Sequence, residues 1–171
     1  MYDMLRPSYD EIHNACRDFA LRAEHSRPNI KAIIGISRGG LLPAMILSHM
    51  LNKPLIVVEY SSKEGEGDDK NHTNSLPILT PEQGPVLVVD DICDSGHTLN
   101  EIVYHFTKQN VETFTAVLYY KEHDKQVMNP DLTWRTIPHD AGWVFFPYER
   151  NEFFGPDTDA ATRHLQNMVR T

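Results

Sequence analysis

The hydrophobic pattern of the chain alternates between short apolar runs and longer stretches of helical periodicity. Ser8 and Glu11 form a capping box, and the apolar residues that follow predict a helix over about residues 8–25. Short apolar runs predict strands at residues 31–36, 54–59, 85–89 and 113–120, and helical patterns lie at 41–51 and 98–109. Such alternation indicates an α/β fold with a central, mostly parallel sheet flanked by helices.

Two segments interrupt this alternation. Residues 60–84 hold three glycines, two prolines and many charged residues, and predict a long loop that is either a surface excursion or a lid. Residues 121–147 contain three prolines and scattered histidines, and predict a small irregular cap instead of another strand and helix. Residues 159–169 predict a short C-terminal helix.

Length, charge and cysteine content indicate the number of domains and exclude some classes of protein. The 171 residues predict a single domain over 1–171, and the formal net charge of −8 argues against nucleic acid as a partner. The two cysteines, Cys16 and Cys93, do not suggest a disulfide framework. No apolar run approaches the roughly 20 residues of a membrane span, so we expect a soluble cytoplasmic protein with no membrane partner.

The run from Val86 to Leu99 carries the strongest chemical signal. Four apolar residues lead into the acidic pair Asp90 and Asp91, and a polar turn with a third carboxylate and a glycine then opens a helix. The start of a helix suits a phosphate, and paired carboxylates suit hydroxyls or a hard cation. Taken alone, the acidic pair also fits a capping turn or a Walker B acid, but the chain has no G-x-x-x-x-G-K-[ST] motif. The run therefore predicts a site for a phosphorylated sugar.

A second glycine-containing turn follows the first predicted strand. Residues 36–41 read Ile-Ser-Arg-Gly-Gly-Leu. Glycines leave backbone N–H groups accessible, and an arginine can donate two hydrogen bonds to a pair of anionic oxygens. This turn therefore suits a pyrophosphate. Its alternative is an ordinary glycine turn with a solvated arginine.

The run at residues 86–99 resembles the signature of the type I phosphoribosyltransferases, which bind phosphoribosyl pyrophosphate. It matches every constrained position of that signature, and His97 occupies the unconstrained one. The resemblance implies the type I phosphoribosyltransferase fold with a small irregular base-binding hood, and a loop at 60–84 that closes over the substrate. It implies that Asp90 and Asp91 contact the ribose hydroxyls directly or through Mg²⁺. It also implies that the 5′-phosphate is cradled by Ser95, Gly96, His97 and Thr98.

The resemblance extends to the other ends of the substrate. Residues 36–41 are similar to the pyrophosphate loop of the xanthine-guanine branch, which assigns pyrophosphate binding to Ser37, Arg38 and Gly39. Lys121 matches a lysine that meets the exocyclic oxygen of a 6-oxopurine, with a solvated strand end as its alternative.

A C-terminal segment resembles the base-binding part of the same family. There Trp143 would stack on the purine, with core packing as its alternative, and Val144 would offer its carbonyl. Glu149 would help to hold a second Mg²⁺, although it replaces the usual Asp, and Gly155 stands where the hypoxanthine-guanine branch has an arginine.

The implied reaction transfers phosphoribosyl from phosphoribosyl pyrophosphate to a purine base, which is hypoxanthine, guanine or xanthine. Asp94 is the candidate general base for the N7 proton as N9 attacks, with a loop-structuring role as its alternative. The resemblance also suggests a homodimer or homotetramer. A regulator on the same fold that binds without turnover, and a phosphoribosyltransferase for another base, are the competing functions.

Overall fold

The computed structural model describes residues 5–26, 29–60, 76–122 and 124–149. They belong to two compact units, one formed by the described parts of 1–11 and 141–171, and the other by those of 12–140. The predicted C-terminal helix at 159–169 and most of the 60–84 loop fall outside the described residues. The single domain over 1–171 stays a prediction.

The first helix, α1, spans Tyr9–Ser26 and begins at the predicted capping box. The Ser8 N–H donates to Glu11 Oε2 at 2.9 Å, and the Glu11 N–H donates to Ser8 Oγ at 3.2 Å. Both bonds satisfy backbone donors that a helix start leaves unpaired. The apolar positions of the helical pattern are the buried ones, namely Ile12, Ala15, Cys16, Phe19, Ala20 and Ala23.

Within the described residues, five strands form one parallel sheet in the order β2-β1-β3-β4-β5. The strands are β1 (Ala32–Ser37), β2 (Leu55–Glu59), β3 (Val86–Cys93), β4 (Thr113–Glu122) and β5 (Leu132–Pro138). Two further helices, α2 (Leu41–Leu51) and α3 (His97–Thr107), follow β1 and β3. The predicted α/β class with a mostly parallel sheet is confirmed, and the strong burial of β1 and β3 is typical of central parallel strands.

The central strand β3 extends farther than the apolar run that predicts it. It continues through Asp90 and Asp91 to Cys93. Its pairing with β1 ends at Val89, opposite Gly35, and beyond that residue β4 is its only neighbouring strand in the described part of the chain. The two carboxylates therefore lie on a projecting part of the strand, and not in a turn after it.

The prediction of an irregular cap over residues 121–147 is wrong for its middle part. Residues Leu132–Pro138 form β5, which pairs in parallel with β4 from Ala116 to Glu122. Parallel neighbours are usually joined through a helix, but residues 124–131 contain neither helix nor strand. Because no helical pattern precedes β5, the sequence does not indicate a further parallel strand there.

The helices cover the sheet closely. A Cβ atom at Gly35 of β1 would lie 2.8 Å from the Cβ of Ala44, so the glycine permits α2 to approach the strand. Helix α3 buries Leu99, Ile102 and Phe106. No helix among the described residues is both long and apolar enough to cross a membrane.

Asp131 anchors the start of β5 to β4. The fully buried Thr115 donates from both its N–H and its hydroxyl to Asp131 Oδ2 at 2.9 Å, and the Asp131 N–H donates to Thr115 Oγ1 at 2.9 Å. The substitution Asp131→Ala leaves the buried Thr115 donors unpaired, which costs about 1–3 kcal/mol. We expect urea denaturation to show this loss, with a smaller loss for Asp131→Asn, which retains an acceptor. Equal losses in the two variants would contradict the hydrogen-bond account.

Candidate active site

The turn after β1 lies against the projecting part of β3. A Cβ atom at Gly39 would overlap both carboxylate oxygens of Asp91, and one at Gly40 would overlap the carbonyl oxygen of Val89. The turn itself is closed by the Gly40 N–H, which donates to the Ile36 carbonyl at 3.0 Å. The two glycines therefore bring the backbone of the predicted pyrophosphate loop directly onto the predicted ribose-binding strand, with Ser37 half-buried and Arg38 exposed.

The two adjacent carboxylates each accept a backbone hydrogen bond. The Asp91 N–H donates to Asp90 Oδ1 at 2.9 Å, and the Ile92 N–H donates to Asp91 Oδ1 at 2.8 Å. Burial, and then the charge of Asp91, raise the pKa of Asp90 well above its usual range. Ionised Asp90 is thus electrostatically costly, and a cation or a set of hydroxyl donors at this position would offset that cost.

Hard carboxylate oxygens suit Mg²⁺, which commonly takes one or two carboxylates and completes its shell with water and substrate oxygens. Asp90 and Asp91 fit that role. Among the described residues, no group of three or more His, Cys, Asp or Glu side chains could hold a metal ion. Asp90 and Asp91 would supply two carboxylate ligands to a magnesium ion, and water and substrate oxygens would supply the others.

The turn between β3 and α3 has the form of an anion-binding site. Gly96 is the N-cap of α3 and has φ = 81°, a left-handed conformation that favours glycine. Its carbonyl accepts from the Asn100 N–H at 2.9 Å, so the helix starts directly after it. Ser95 and Thr98 are half-buried and His97 is exposed. The structure places all four residues at the positive end of a helix, and their contact with a 5′-phosphate stays a prediction.

Asp94 and Lys121 come together from two neighbouring strands. The pairing of Cys93 with Tyr120 aligns the ends of β3 and β4, and Lys121 Nζ lies 3.4 Å from Asp94 Oδ2. The lysine side chain is 13% exposed and the aspartate side chain is 61% exposed. A solvent-accessible carboxylate therefore lies beside a mostly buried ammonium group, which suits a proton acceptor and an oxygen-binding cation.

Cys93, within the same signature, is buried and poorly suited to act as a nucleophile. Burial, followed by the charges of Asp90 and Asp94, raises the pKa of its thiol to about 12. A thiol with this pKa stays protonated at neutral pH, and the thiolate is the reactive form.

The remaining predicted residues lie in the unit of residues 1–11 and 141–171. Val144 is buried and pairs with Leu5 in an isolated parallel bridge, and the Phe145 N–H donates to the Leu5 carbonyl at 2.9 Å. Trp143 is 57% exposed, which disagrees with core packing. Glu149 Oε2 accepts from the Phe146 N–H at 3.1 Å. Base stacking by Trp143, carbonyl recognition by Val144 and metal binding by Glu149 stay predictions.

Residues 126–128 contact the signature turn, although no sequence pattern indicates them. Gln126 Nε2 donates to the Asp94 carbonyl at 2.8 Å, and the Val127 N–H donates to the Ser95 carbonyl at 2.8 Å. These residues lie in an aperiodic segment, so no local pattern indicates their partners.

Comparison with known proteins places this geometry in a family. Residues 8–151 match the phosphoribosyl transferase domain. The chain is 28% identical over 153 residues to the xanthine-guanine phosphoribosyltransferase of Roseobacter denitrificans, with 83% of each chain covered. It is 30% identical over 146 residues to the enzyme of that name from Idiomarina loihiensis, with 83% of this chain and 84% of the relative covered.

The solved structures agree with the sequence comparison. The purine phosphoribosyltransferase from Pyrococcus horikoshii Ot3 has a TM-score of 0.70 and 28% identity, with 85% of this chain and 94% of that chain covered. A xanthine-guanine-hypoxanthine phosphoribosyltransferase from Helicobacter pylori has the same fold, with a TM-score of 0.71 at 17% identity over 89% of this chain and 97% of that chain. The shared sheet and the extent of the sequence match show that the chain belongs to the phosphoribosyl transferase domain family and has its type I fold.

Proposed function

We propose that the protein transfers the 5-phosphoribosyl group from phosphoribosyl pyrophosphate to a 6-oxopurine base, with release of pyrophosphate, as a step of purine salvage. The observation that carries this proposal is the contact of the Gly39–Gly40 turn with Asp91 and the end of β3. It joins an anion-binding turn to a pair of carboxylates, beside a second anion-binding turn at the start of α3. The names of the xanthine-guanine relatives support guanine or xanthine as the base, and the family resemblance adds hypoxanthine.

The reaction separates charge, and the residues of the proposed site match its two ends. As the bond to pyrophosphate breaks, positive charge develops on the ribose and negative charge on the leaving group. Ser37, Arg38 and Gly39 would bind the leaving pyrophosphate through backbone N–H groups and a guanidinium. Asp90 and Asp91 would orient the ribose through its hydroxyls and would hold Mg²⁺, which supplies positive charge to the pyrophosphate when bound.

Asp94 and Lys121 would act on the base. The Asp94 carboxylate, which is accessible to solvent, accepts the N7 proton as N9 attacks the ribose. The ammonium of Lys121, 3.4 Å from that carboxylate, binds the exocyclic oxygen of the 6-oxopurine. Because the Lys121 side chain is mostly buried, its charge is held in a fixed position beside the Asp94 carboxylate that accepts the proton.

Further parts of the proposal rest on the family resemblance and on local properties. Trp143 would stack its exposed ring on the purine and Val144 would offer its carbonyl, while Glu149 would help to hold a second Mg²⁺. A homodimer or homotetramer is the proposed assembly. The two buried, free cysteines suit the reducing cytoplasm as the proposed location.

The direct test is a nucleotide synthesis assay. The protein is incubated with Mg²⁺, phosphoribosyl pyrophosphate and hypoxanthine, guanine, xanthine or adenine in separate reactions, and the nucleotide is quantified. We expect product with at least one 6-oxopurine and little with adenine. Tight binding of phosphoribosyl pyrophosphate without product from any base would instead support a regulator on the same fold.

The substitution Asp94→Asn tests the proton acceptor. It retains the shape of the side chain but removes its basicity, so we expect kcat to fall by about 10²–10⁴ while the Kd for phosphoribosyl pyrophosphate changes little. Asp124→Asn, at an exposed residue of the β4–β5 connection, is the matched control and should leave kcat unchanged. A near-normal kcat in Asp94→Asn would exclude Asp94 as the general base.

The raised pKa of Asp90 predicts a specific pH dependence of stability. Because the folded-state pKa exceeds the unfolded value of about 3.9, the folded protein binds more protons and loses stability as pH rises through that interval. The uncharged variant Asp90→Asn should therefore be more stable than wild type at pH 7, and the gain should shrink as pH falls towards 4. Urea denaturation at both pH values measures this, with Asp124→Asn as the control. A variant that is less stable at pH 7 contradicts the electrostatic cost, and we expect catalysis to be lost in either case.

A further inference from the structure

The connection between β4 and β5 contacts the signature turn through successive residues. The Gln126 amide donates to the Asp94 carbonyl, the Val127 N–H donates to the Ser95 carbonyl, and Cys93 Sγ donates to the Met128 carbonyl at 3.8 Å. A Cβ atom at Gly96 would overlap the Met128 carbonyl oxygen. The connection therefore lies directly on the turn that opens α3.

Two of these hydrogen bonds set the orientation of peptide groups. The cis peptide bonds of the described residues are Ser37–Arg38 and Gly84–Pro85, so those that join Asp94, Ser95 and Gly96 are trans. In a trans peptide the N–H points opposite to the C=O. Because the carbonyls of Asp94 and Ser95 point to residues 126–127, the N–H groups of Ser95 and Gly96 point away from that segment.

These two N–H groups are available donors. No described residue provides an acceptor for the backbone N–H of Ser95 or of Gly96. Unpaired backbone donors at the start of a helix are typical of an anion-binding turn. Their direction is therefore chemically significant, and Gln126 and Val127 set it from the opposite side.

Gln126 acts here only as a donor. Its Nε2 donates to the carbonyl oxygens of Asp94 at 2.8 Å and Met128 at 3.0 Å, and to Cys93 Sγ at 3.5 Å. Its Oε1 is buried and has no hydrogen-bond partner among the described residues. An unpaired buried oxygen is costly, and the amide is fixed in this orientation by the carbonyls that its nitrogen bridges.

We propose that Gln126 is a positioning residue that holds the Ser95 N–H in the direction required to bind the 5′-phosphate, beside the Gly96 N–H, whose peptide is oriented by the Val127 N–H. This inference rests on the proposed function. Gln126 does not itself contact the substrate. It acts through the Asp94 carbonyl, so its effect is confined to the phosphate end of the site, while the Arg38 turn after β1 binds pyrophosphate independently of it.

The test compares two ligands that occupy different ends of the site. Gln126→Met preserves length but removes the donor, and Gln126→Glu presents carboxylate oxygens to the carbonyls of Asp94 and Met128. Calorimetry measures the Kd for ribose 5-phosphate and for pyrophosphate with Mg²⁺, steady-state kinetics measures the KM for each substrate, and the Tm reports stability. Asn129→Ala is the matched control, because it removes a side-chain hydrogen bond of the same connection, from the Tyr120 hydroxyl, that does not involve the turn.

We expect both Gln126 variants to bind ribose 5-phosphate about tenfold more weakly or worse, as for loss of one hydrogen bond to a charged group. The Kd for pyrophosphate and the KM for the base should stay within about twofold, and Asn129→Ala should match wild type. Unchanged binding of ribose 5-phosphate by both Gln126 variants would overturn the inference, as would equal weakening of both ligands together with a lower Tm. If wild type binds neither phosphoribosyl pyrophosphate nor ribose 5-phosphate, the proposed function itself fails, and this inference fails with it.

Discussion

The pairing of β1 with β3 as parallel neighbours is the constraint on which the site depends. Parallel strands end at the same edge of a sheet, so the turn after β1 and the end of β3 must meet there. Pairing stops at Val89, and the part of β3 beyond it is covered by the Gly39–Gly40 turn in place of another strand. Two segments that are far apart in the chain thus form one continuous surface, and side chains at either glycine would separate them.

Three carboxylates lie close together at this edge of the sheet. Asp90, Asp91 and Asp94 follow one another closely on a single strand and turn. Burial, and then the charge of Asp91, raise the pKa of Asp90 well above its usual range. Lys121 offsets part of that charge at Asp94, while Arg38 is exposed at the facing turn. Such arrangements are common where function has been selected at the cost of folding free energy. In the proposed function, a ligand that brings a cation and hydroxyl groups would offset this electrostatic cost.

Much of the fold could be predicted because its local patterns agree with its tertiary structure. The capping box at Ser8 and the helix at 41–51 are examples of patterns that formed as expected. Strand β5 was missed because its connection to β4 contains no helix, and β3 was predicted too short because carboxylates end its apolar run. Both strands pair with β4, and the local pattern of apolar residues does not indicate such a partner. Lys121 and Asp94 were predicted as separate elements of the site, and only the register of β3 and β4 brings them within 3.4 Å.

The contact between the β4–β5 connection and the signature turn has a consequence for how such sites are encoded. Gln126 and Asp94 are 32 positions apart, yet the peptide orientation of one segment depends on a donor from the other. The signature at residues 86–99 contains the residues of the turn. Residues 126–127 donate the hydrogen bonds to the carbonyls of that turn. A turn transferred into another protein without residues 126–128 would keep its sequence but lose the hydrogen bonds that Gln126 and Val127 donate to its carbonyls. The backbone of the signature turn is therefore held by hydrogen bonds from a second segment that the signature itself does not include.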